Sequence, residues 1–335
     1  MVYHTAAMSK RYRAAILPLG LAAVVLGALF WLRRDDLALL GDLKVSWPLL
    51  LGAIALTVVG SFLSFLRWYW LVIAQGLPFT LIDAFRLGLV GSFFNFVVPG
   101  AVGGDLVKAA LMAREQEKRV LAVSTIVVDR VVGLLGLLVL TGMVAIAMWG
   151  AIQEHAPLVD LARWNLSLLG LALAALAVFL LWRWPLEDLA VRVRRIPKVG
   201  PLLASMLEAV ASYQTTKVTV VGCVLVSVLI QALFVGSLVM GGLSIWPEPP
   251  PLSSYLIAIP FGLLSTGIPV TPGGLGIAEV TLEALFAFVG APASYALLMM
   301  LGFRLGQVAT IVLGVVLYFS SPEIRRATKD AREQG

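Results

Sequence analysis

Long apolar runs separated by short polar connections recur along the whole chain. A helix needs about 20 mostly apolar residues to cross a bilayer. Six uninterrupted runs meet that need: Ala14–Leu32, Trp47–Leu66, Leu121–Trp149, Leu166–Trp182, Val218–Leu243 and Tyr295–Phe319. Two further stretches, Leu81–Ala113 and Ser253–Val289, are just as apolar, but Pro and Gly interrupt each near its middle. Neither half of either stretch is a comfortable span. The pattern predicts an all-α polytopic membrane protein with six full transmembrane helices and two broken, re-entrant helix pairs. Lys10, Arg11 and Arg13 precede the first run, and Arg33 and Arg34 follow it without a small-x-small cleavage site. That run is therefore read as a retained span and not as a signal peptide.

The polar connections orient the chain. Sixteen Lys and Arg fall in Met1–Arg13, Arg114–Arg119, Arg183–Lys217 and Ser320–Gly335, against four in the opposite connections. The excess of positive charge places both termini in the cytoplasm and the connections Gly150–Asn165 and Ser244–Leu252 outside. Residues 183–217 are expected as a short amphipathic cytoplasmic segment, within one membrane domain covering 1–335. All nine Trp lie at or near expected segment ends, as an interfacial aromatic belt requires.

Composition agrees and narrows the options. The chain is 60% apolar and 13% charged, against about 45–50% and ~25% in an average soluble domain. A soluble enzyme or nucleic-acid-binding module is excluded, because so little polar surface could not cover it. The net charge of +6 sits in connections beside apolar segments, so nucleic acid is not an expected partner. One Cys and two His argue against a disulfide framework or a zinc site. No metal or cofactor is expected.

The two broken stretches repeat one another. The first break reads Pro99-Gly100-Ala101-Val102-Gly103-Gly104-Asp105, and the second Pro272-Gly273-Gly274-Leu275-Gly276-Ile277-Ala278-Glu279. An arginine follows each acid 25 residues later, Arg130 after Asp105 and Arg304 after Glu279, with Gly133 and Gly306 close behind. Internal repeats are thus expected at about 80–149 and 253–320. Three crossings separate the two breaks, and an odd number inverts the second copy. Inverted repeats with interrupted helices are the plan of secondary transporters, whose substrate site lies between the breaks. A duplicated scaffold whose breaks only allow close packing is the competing reading.

The breaks and the charges point to an anionic substrate. A Pro-Gly break frees backbone N–H groups at the start of the following half-helix, where a negative group is favoured. Gly103, Gly104, Gly273, Gly274 and Gly276 would let a headgroup approach the backbone. A charge at the bilayer centre costs at least ~2.5–3.5 kcal/mol and marks function by default. The candidate substrate-binding set is Asn95, Pro99, Gly103, Gly104, Asp105, Lys108, Asp129, Arg130, Pro272, Gly273, Gly274, Gly276, Glu279, Glu283 and Arg304. Arg130 and Arg304 are expected to grip a phosphate with their planar forks, and Asp105 and Glu279 to pair with them. Lys108 shares a helix face with Asp105, and Glu283 with Glu279. Arg67 and Arg86 are expected to snorkel to the cytoplasmic border. Gln231 and Gln307 are expected as helix-packing hydrogen bonds, and Gly136 and Gly314 as packing positions.

Taken together, these motifs resemble the lysylphosphatidylglycerol synthase transmembrane family, a flippase-like group. The resemblance rests on Arg67-Trp68, on Asn95 to Gly100, on Gly103-Gly104-Asp105, on Asp129-Arg130 with Gly133, and on Pro269 to Glu279. It spans nearly the whole chain. Lys108 departs from it, since the family often has Arg there. The resemblance implies a prokaryotic inner-membrane protein that moves lipids between leaflets. The chain stops at Gly335, so no fused synthase domain is expected and no enzymatic activity is ascribed to it. The resemblance leaves an aminoacylated phospholipid, another phospholipid or a polyprenyl-phosphate lipid as cargo. A separately encoded lipid-modifying synthase or glycosyltransferase is the protein partner that such a cargo suggests. An ion-coupled carrier of a small anion is the runner-up, followed by a lipid-phosphate transferase. No Asp-rich metal motif or nucleophile–base pair supports the transferase.

Overall fold

The computed structural model describes residues 45–97, 103–116, 118–181, 185–196, 200–245, 249–267, 277–290 and 294–320. Within them the regular structure is helical, in the order α1 (Trp47–Ile73), α2 (Leu81–Val97), α3 (Gly103–Glu115), α4 (Arg119–Ala147), α5 (Trp149–Ile152), α6 (Ala156–Leu181), α7 (Leu186–Val193), α8 (Gly200–Thr215), α9 (Lys217–Ile245), α10 (Leu252–Leu264), α11 (Ile277–Phe288) and α12 (Ser294–Ser320). Local signals set several of these borders. Pro48 stands in the first turn of α1, where its missing N–H costs nothing. Gly76, with φ of +67°, ends the turn after α1. Thr80 and Asp83 exchange hydrogen bonds across the start of α2, each capping the other's backbone N–H.

Among the described residues four helices, α1, α4, α6 and α9, are long and apolar enough to cross a membrane. They correspond to the expected spans at 47–66, 121–149, 166–182 and 218–243. The chain is therefore a multi-pass membrane protein. The expected span Tyr295–Phe319 falls on α12, which is 27 residues long and apolar along its length. The expected span Ala14–Leu32 lies outside the described residues. One connection is corrected: α6 begins at Ala156 and absorbs most of the expected loop Gly150–Asn165, while α5 occupies its start. The apolar run could not reveal this, because Asp160, Arg163 and Asn165 sit in the first turns of that helix.

Both broken stretches form pairs of short helices. α2 and α3 have 17 and 13 residues, α10 and α11 have 13 and 12. At 1.5 Å per residue these are roughly 18–26 Å long, short of the ~30 Å hydrocarbon core. Within the expected cytoplasmic segment 183–217, α7 packs on α8 and α8 on α4. Tyr213 on α8 donates a hydrogen bond to the Leu71 carbonyl of α1 at 3.0 Å, anchoring α8 to the end of that span. Burial pushes the Tyr213 phenol above its ordinary pKa, so the bond is made by a neutral hydroxyl throughout the physiological range.

At the centre, α1 and α9 run antiparallel and pack along their whole length. Ser46 pairs with Ser244 through the backbone, Thr57 with Ser237 at 2.7 Å, and Arg67 with Ser227 at 2.8 Å. Small residues set the close approach. A side chain at Gly60 would strike Phe234, and one at Gly52 would strike Met240. The neighbours of this pair come in matched contacts: α12 packs on α1 and α4 on α9, while α2 packs on α12 and α10 on α4. Gly136 faces Ser227 on α9, and Gly314 faces the Leu89 carbonyl on α2, so both are packing positions as expected.

Trp68 departs from the expected aromatic belt. It is fully buried, stacks edge-on with Phe79 and donates its indole N–H to Thr125 Oγ1 at 3.2 Å. Trp47 and Trp164 are exposed, as belt residues should be.

Two glycines make the packing testable. A methyl at Gly314 would collide with the α2 backbone, whereas Gly170 on α6 has nothing within 4 Å. Gly314→Ala is expected to cost about 1–3 kcal/mol by overpacking and to lower the thermal midpoint of the detergent-solubilised protein. Gly170→Ala should leave it unchanged or raise it slightly. Equal midpoints for the two variants would refute this packing.

Candidate functional site

The two half-helices that follow the breaks are built alike. Asp105 is the third residue of α3, and Glu279 the third of α11. A negative charge in the first turn complements the positive end of its own helix. Each acid also reaches the long helix that follows. Arg130 on α4 donates through Nε to Asp105 Oδ2 at 2.6 Å. Arg304 on α12 donates through Nε and Nη2 to Glu279 Oε1 at 3.0 and 2.6 Å. Both expected pairs are present, and each ties a half-helix to the next span.

One donor at the start of α3 is satisfied from within. Asn95 on α2 accepts a hydrogen bond from the Gly104 N–H at 2.9 Å. The expectation that Gly104 opens the backbone to a headgroup is corrected, because a methyl there would collide with the Gly91 carbonyl. Its smallness lets α3 lie on α2. Gly103 is buried at the first position of α3. Pro99, Pro272, Gly273, Gly274 and Gly276 lie outside the described residues.

Arg130 and Arg304 line one cavity of about 290 Å³. Its polar wall includes Asn95, Gln231 and Gln307, with Ser61 and Ser92; its apolar wall includes Phe234, Phe303 and Met300. Ser61 and Gln231 each stand half-way along their helices, α1 and α9, so the cavity lies at mid-length of the central pair. Gln307 accepts a hydrogen bond from Arg304 Nη1 at 2.9 Å. The placement of Gln231 and Gln307 on the cavity wall corrects the expectation that they only join helices. A polar residue inside an apolar run carries the same signal in sequence whether it packs or faces a cavity, and only the neighbours distinguish the two.

The two arginines are held differently. The Arg304 side chain is 17% exposed and uses three of its nitrogens on Glu279 and Gln307. The Arg130 side chain is 52% exposed and, among the described residues, hydrogen-bonds through Nε alone. Val127, Val131 and Leu134, on the same face of α4, are exposed apolar residues. Arg130 thus stands on the border between the cavity and the apolar outer surface.

A second charged cluster lies behind this wall. Arg67 is buried, 6% exposed, and donates through Nε to Asp129 Oδ1 at 2.8 Å and through Nη1 to Ser227 Oγ at 2.8 Å. A side chain at Gly133 would crowd its guanidinium. The expectation that Arg67 snorkels to the border is therefore corrected, and its partner is the acid next to Arg130. Asp129 and Lys108, both expected at the site, do not line the cavity. The Lys108 ammonium lies 4.9 Å from the Trp68 ring centre and 5.9 Å from that of Phe65, in cation–π geometry. Glu283 is partly buried on α11, one turn beyond Glu279 and away from the cavity wall. Among the described residues no group of His, Cys, Asp and Glu converges to hold a metal ion.

Burial separates the roles of the pairs. Arg67→Ala or Asp129→Ala leaves an uncompensated buried charge and is expected to cost about 3–5 kcal/mol, read as lost folded yield and a lowered thermal midpoint. The double variant Arg67→Met with Asp129→Leu should recover part of that loss. Arg130→Ala should cost less than Arg67→Ala, because the Arg130 side chain is half exposed and Asp105 keeps the positive end of its own helix as a partner. A midpoint as low for Arg130→Ala as for Arg67→Ala would contradict this division.

Neither a curated protein nor a solved structure matches the chain. A family model described as the lysylphosphatidylglycerol synthase TM region matches residues 15–314. The match covers both breaks, both acid–arginine clamps and the cavity between them, and the chain belongs to the lysylphosphatidylglycerol synthase TM region family.

Proposed function

We propose that this protein translocates an anionic lipid between the leaflets of a prokaryotic inner membrane, without catalysing a reaction, and that it does so through an inverted repeat. Family membership supports a lipid-related role in the membrane. The repeat would comprise α1–α4 and α9–α12. Equivalent helices exchange contacts in this scheme: α1 on α12 matches α9 on α4, and α2 on α12 matches α10 on α4. The equivalent helices α1 and α9 are antiparallel, as a two-fold axis in the membrane plane demands.

The observation that carries the proposal is the position of Arg130. It lies in the interior of a spanning helix, half exposed, beside an apolar outer surface, and it shares a cavity with an arginine from the other repeat. An arginine exposed at membrane depth needs a polar path. A phosphate entering sideways from the bilayer would meet its free fork, while acyl chains stay outside against Val127, Val131 and Leu134. Arg304 would receive the phosphate from the other repeat. A carrier of a small soluble anion would have no use for a site edge facing lipid.

Reconstitution tests the proposal. Vesicles carrying the protein should exchange labelled anionic phospholipid between leaflets faster than protein-free vesicles. Arg130→Ala should reduce that exchange at least tenfold per folded protein reconstituted. Arg130→Lys should recover part of it, because an ammonium keeps the charge but not the bidentate fork. Full exchange by Arg130→Ala would remove this residue from the path.

The orientation has its own test. In a Cys223→Ala background, a single cysteine at exposed Gln153 should react with an impermeant thiol reagent in intact cells, and one at exposed Arg195 only after permeabilisation. The reverse pattern would invert the topology.

A further inference from the structure

Between the spans α6 and α9, the short helices α7 and α8 combine positive charge with exposed apolar side chains, and the cavity uses neither. Residues 183–198 hold five Lys and Arg against two acids, Glu187 and Asp188. The fold sets this segment at the ends of the spans. α7 begins at Leu186, just after α6 ends at Leu181. Lys217, the first residue of α9, donates its ammonium to the Leu180 carbonyl at that same end. α8 bonds the end of α1, through Tyr213 to the Leu71 carbonyl and through Ser212 to Gln75. Three spanning helices thus have an end beside α7 and α8.

One side of α7 is taken by α8. Ala190 is buried, and Arg194, one turn on, donates to Glu208 of α8 at 2.6 Å. A side chain at Gly200, where α8 starts, would strike the Val193 and Arg194 carbonyls. The next side is apolar. Leu186, Leu189, Val193 and Ile196 recur at helical spacing and form one stripe. The turn that carries Ile196 continues the helix, since the Arg194 and Ile196 N–H groups bond the Ala190 and Val193 carbonyls. Leu189 is 43% exposed and Ile196 46%. Arg192 stands beside the stripe, one turn from Leu189 and from Ile196, and Arg195 follows it; both are exposed. Among the described residues neither makes an ion pair.

Exposed apolar side chains flanked by unpaired cations, at the ends of spans, match the two phases of a leaflet surface. A helix of this pattern lies in the interface with its apolar stripe toward the acyl chains, and long basic side chains reach from it to the phosphates. A negative leaflet surface attracts basic clusters next to a span. A second copy of this chain would instead set the same arginines against one another. An acidic soluble partner would offer no apolar phase to Leu189 and Ile196.

We propose that α7 and the turn after it form an anionic-lipid-binding surface in the headgroup layer of the cytoplasmic leaflet, with Leu189 and Ile196 among the acyl chains and Arg192 and Arg195 on lipid phosphates. This surface is separate from the cavity, and its existence does not depend on lipid translocation.

The full chain carrying Cys223→Ala and Leu189→Cys, labelled with a fluorophore and reconstituted in phosphatidylcholine vesicles, tests the proposal. Phosphatidylcholine or phosphatidylglycerol brominated near the top of its acyl chains is titrated in as a quencher. Both should quench. Phosphatidylglycerol should reach half-quenching at a mole fraction at least about fivefold lower, the gain expected from one arginine at an anionic surface. Added salt should narrow that gap. Arg192→Gln combined with Arg195→Gln should remove most of it, while quenching by phosphatidylcholine persists. Equal quenching of the parent by the two lipids overturns the anionic-lipid surface. Quenching by neither overturns it too, whether the probe is open to aqueous iodide or shielded by another protein. A double variant that keeps the full preference overturns the assignment to these arginines. The preference of the parent is itself a readout, so a double variant that does not fold does not remove the test.

Discussion

A charge carried to membrane depth has to be neutralised where it stands, and that constraint organises this protein. Asp105 and Glu279 sit in the first turn of a half-helix, and each reaches an arginine on the following long helix. The acid serves two positive partners at once, its own helix end and the guanidinium. The pair therefore fastens a helix too short to span on its own to one that can span.

The two clamps are alike, but their surroundings are not. The residue offset that relates Asp105 to Glu279 and Arg130 to Arg304 also relates Arg67 to Gly241, Asp129 to Phe303 and Lys108 to Leu282. One half carries an extra buried ion pair and an ammonium stacked on Trp68, while the other has apolar or small residues in the same places. The same offset relates Gly133 to Gln307. Gly133 makes room for the Arg67 guanidinium, whereas Gln307 accepts a hydrogen bond from Arg304. Divergence at these positions leaves Arg304 fully held and Arg130 with an open fork. Two like clamps thus differ in their surroundings, with one arginine held through three nitrogens and the other through one.

Much of this was legible before any fold was known. The apolar runs that fall on described residues, the halves of the two broken stretches and the acid-to-arginine spacing repeated at 25 residues appear as helices, half-helices and ion pairs. They are legible because each depends on hydrophobic length, backbone chemistry or charge neutralisation, which act locally or between segments of fixed separation. The family resemblance read from the same motifs agrees with the match over residues 15–314. The start of α6 was not legible, because a membrane helix can carry polar residues in its first turns without losing its helical geometry.

The partners of Arg67, Trp68, Gln231 and Gly104 belonged to the tertiary structure. Arg67 near a helix end reads as a snorkelling cation until α4 brings Asp129 beside it and α9 brings Ser227. Gln231 reads as a packing amide until α1, α4 and α12 enclose a space next to it. Gly104 reads as a gap for a ligand until α2 fills it. In each case the residue type states what it can bond to or how close a neighbour can come. Which neighbour arrives depends on how helices far apart in the chain pack, and pairing over such separations is not encoded in any one segment.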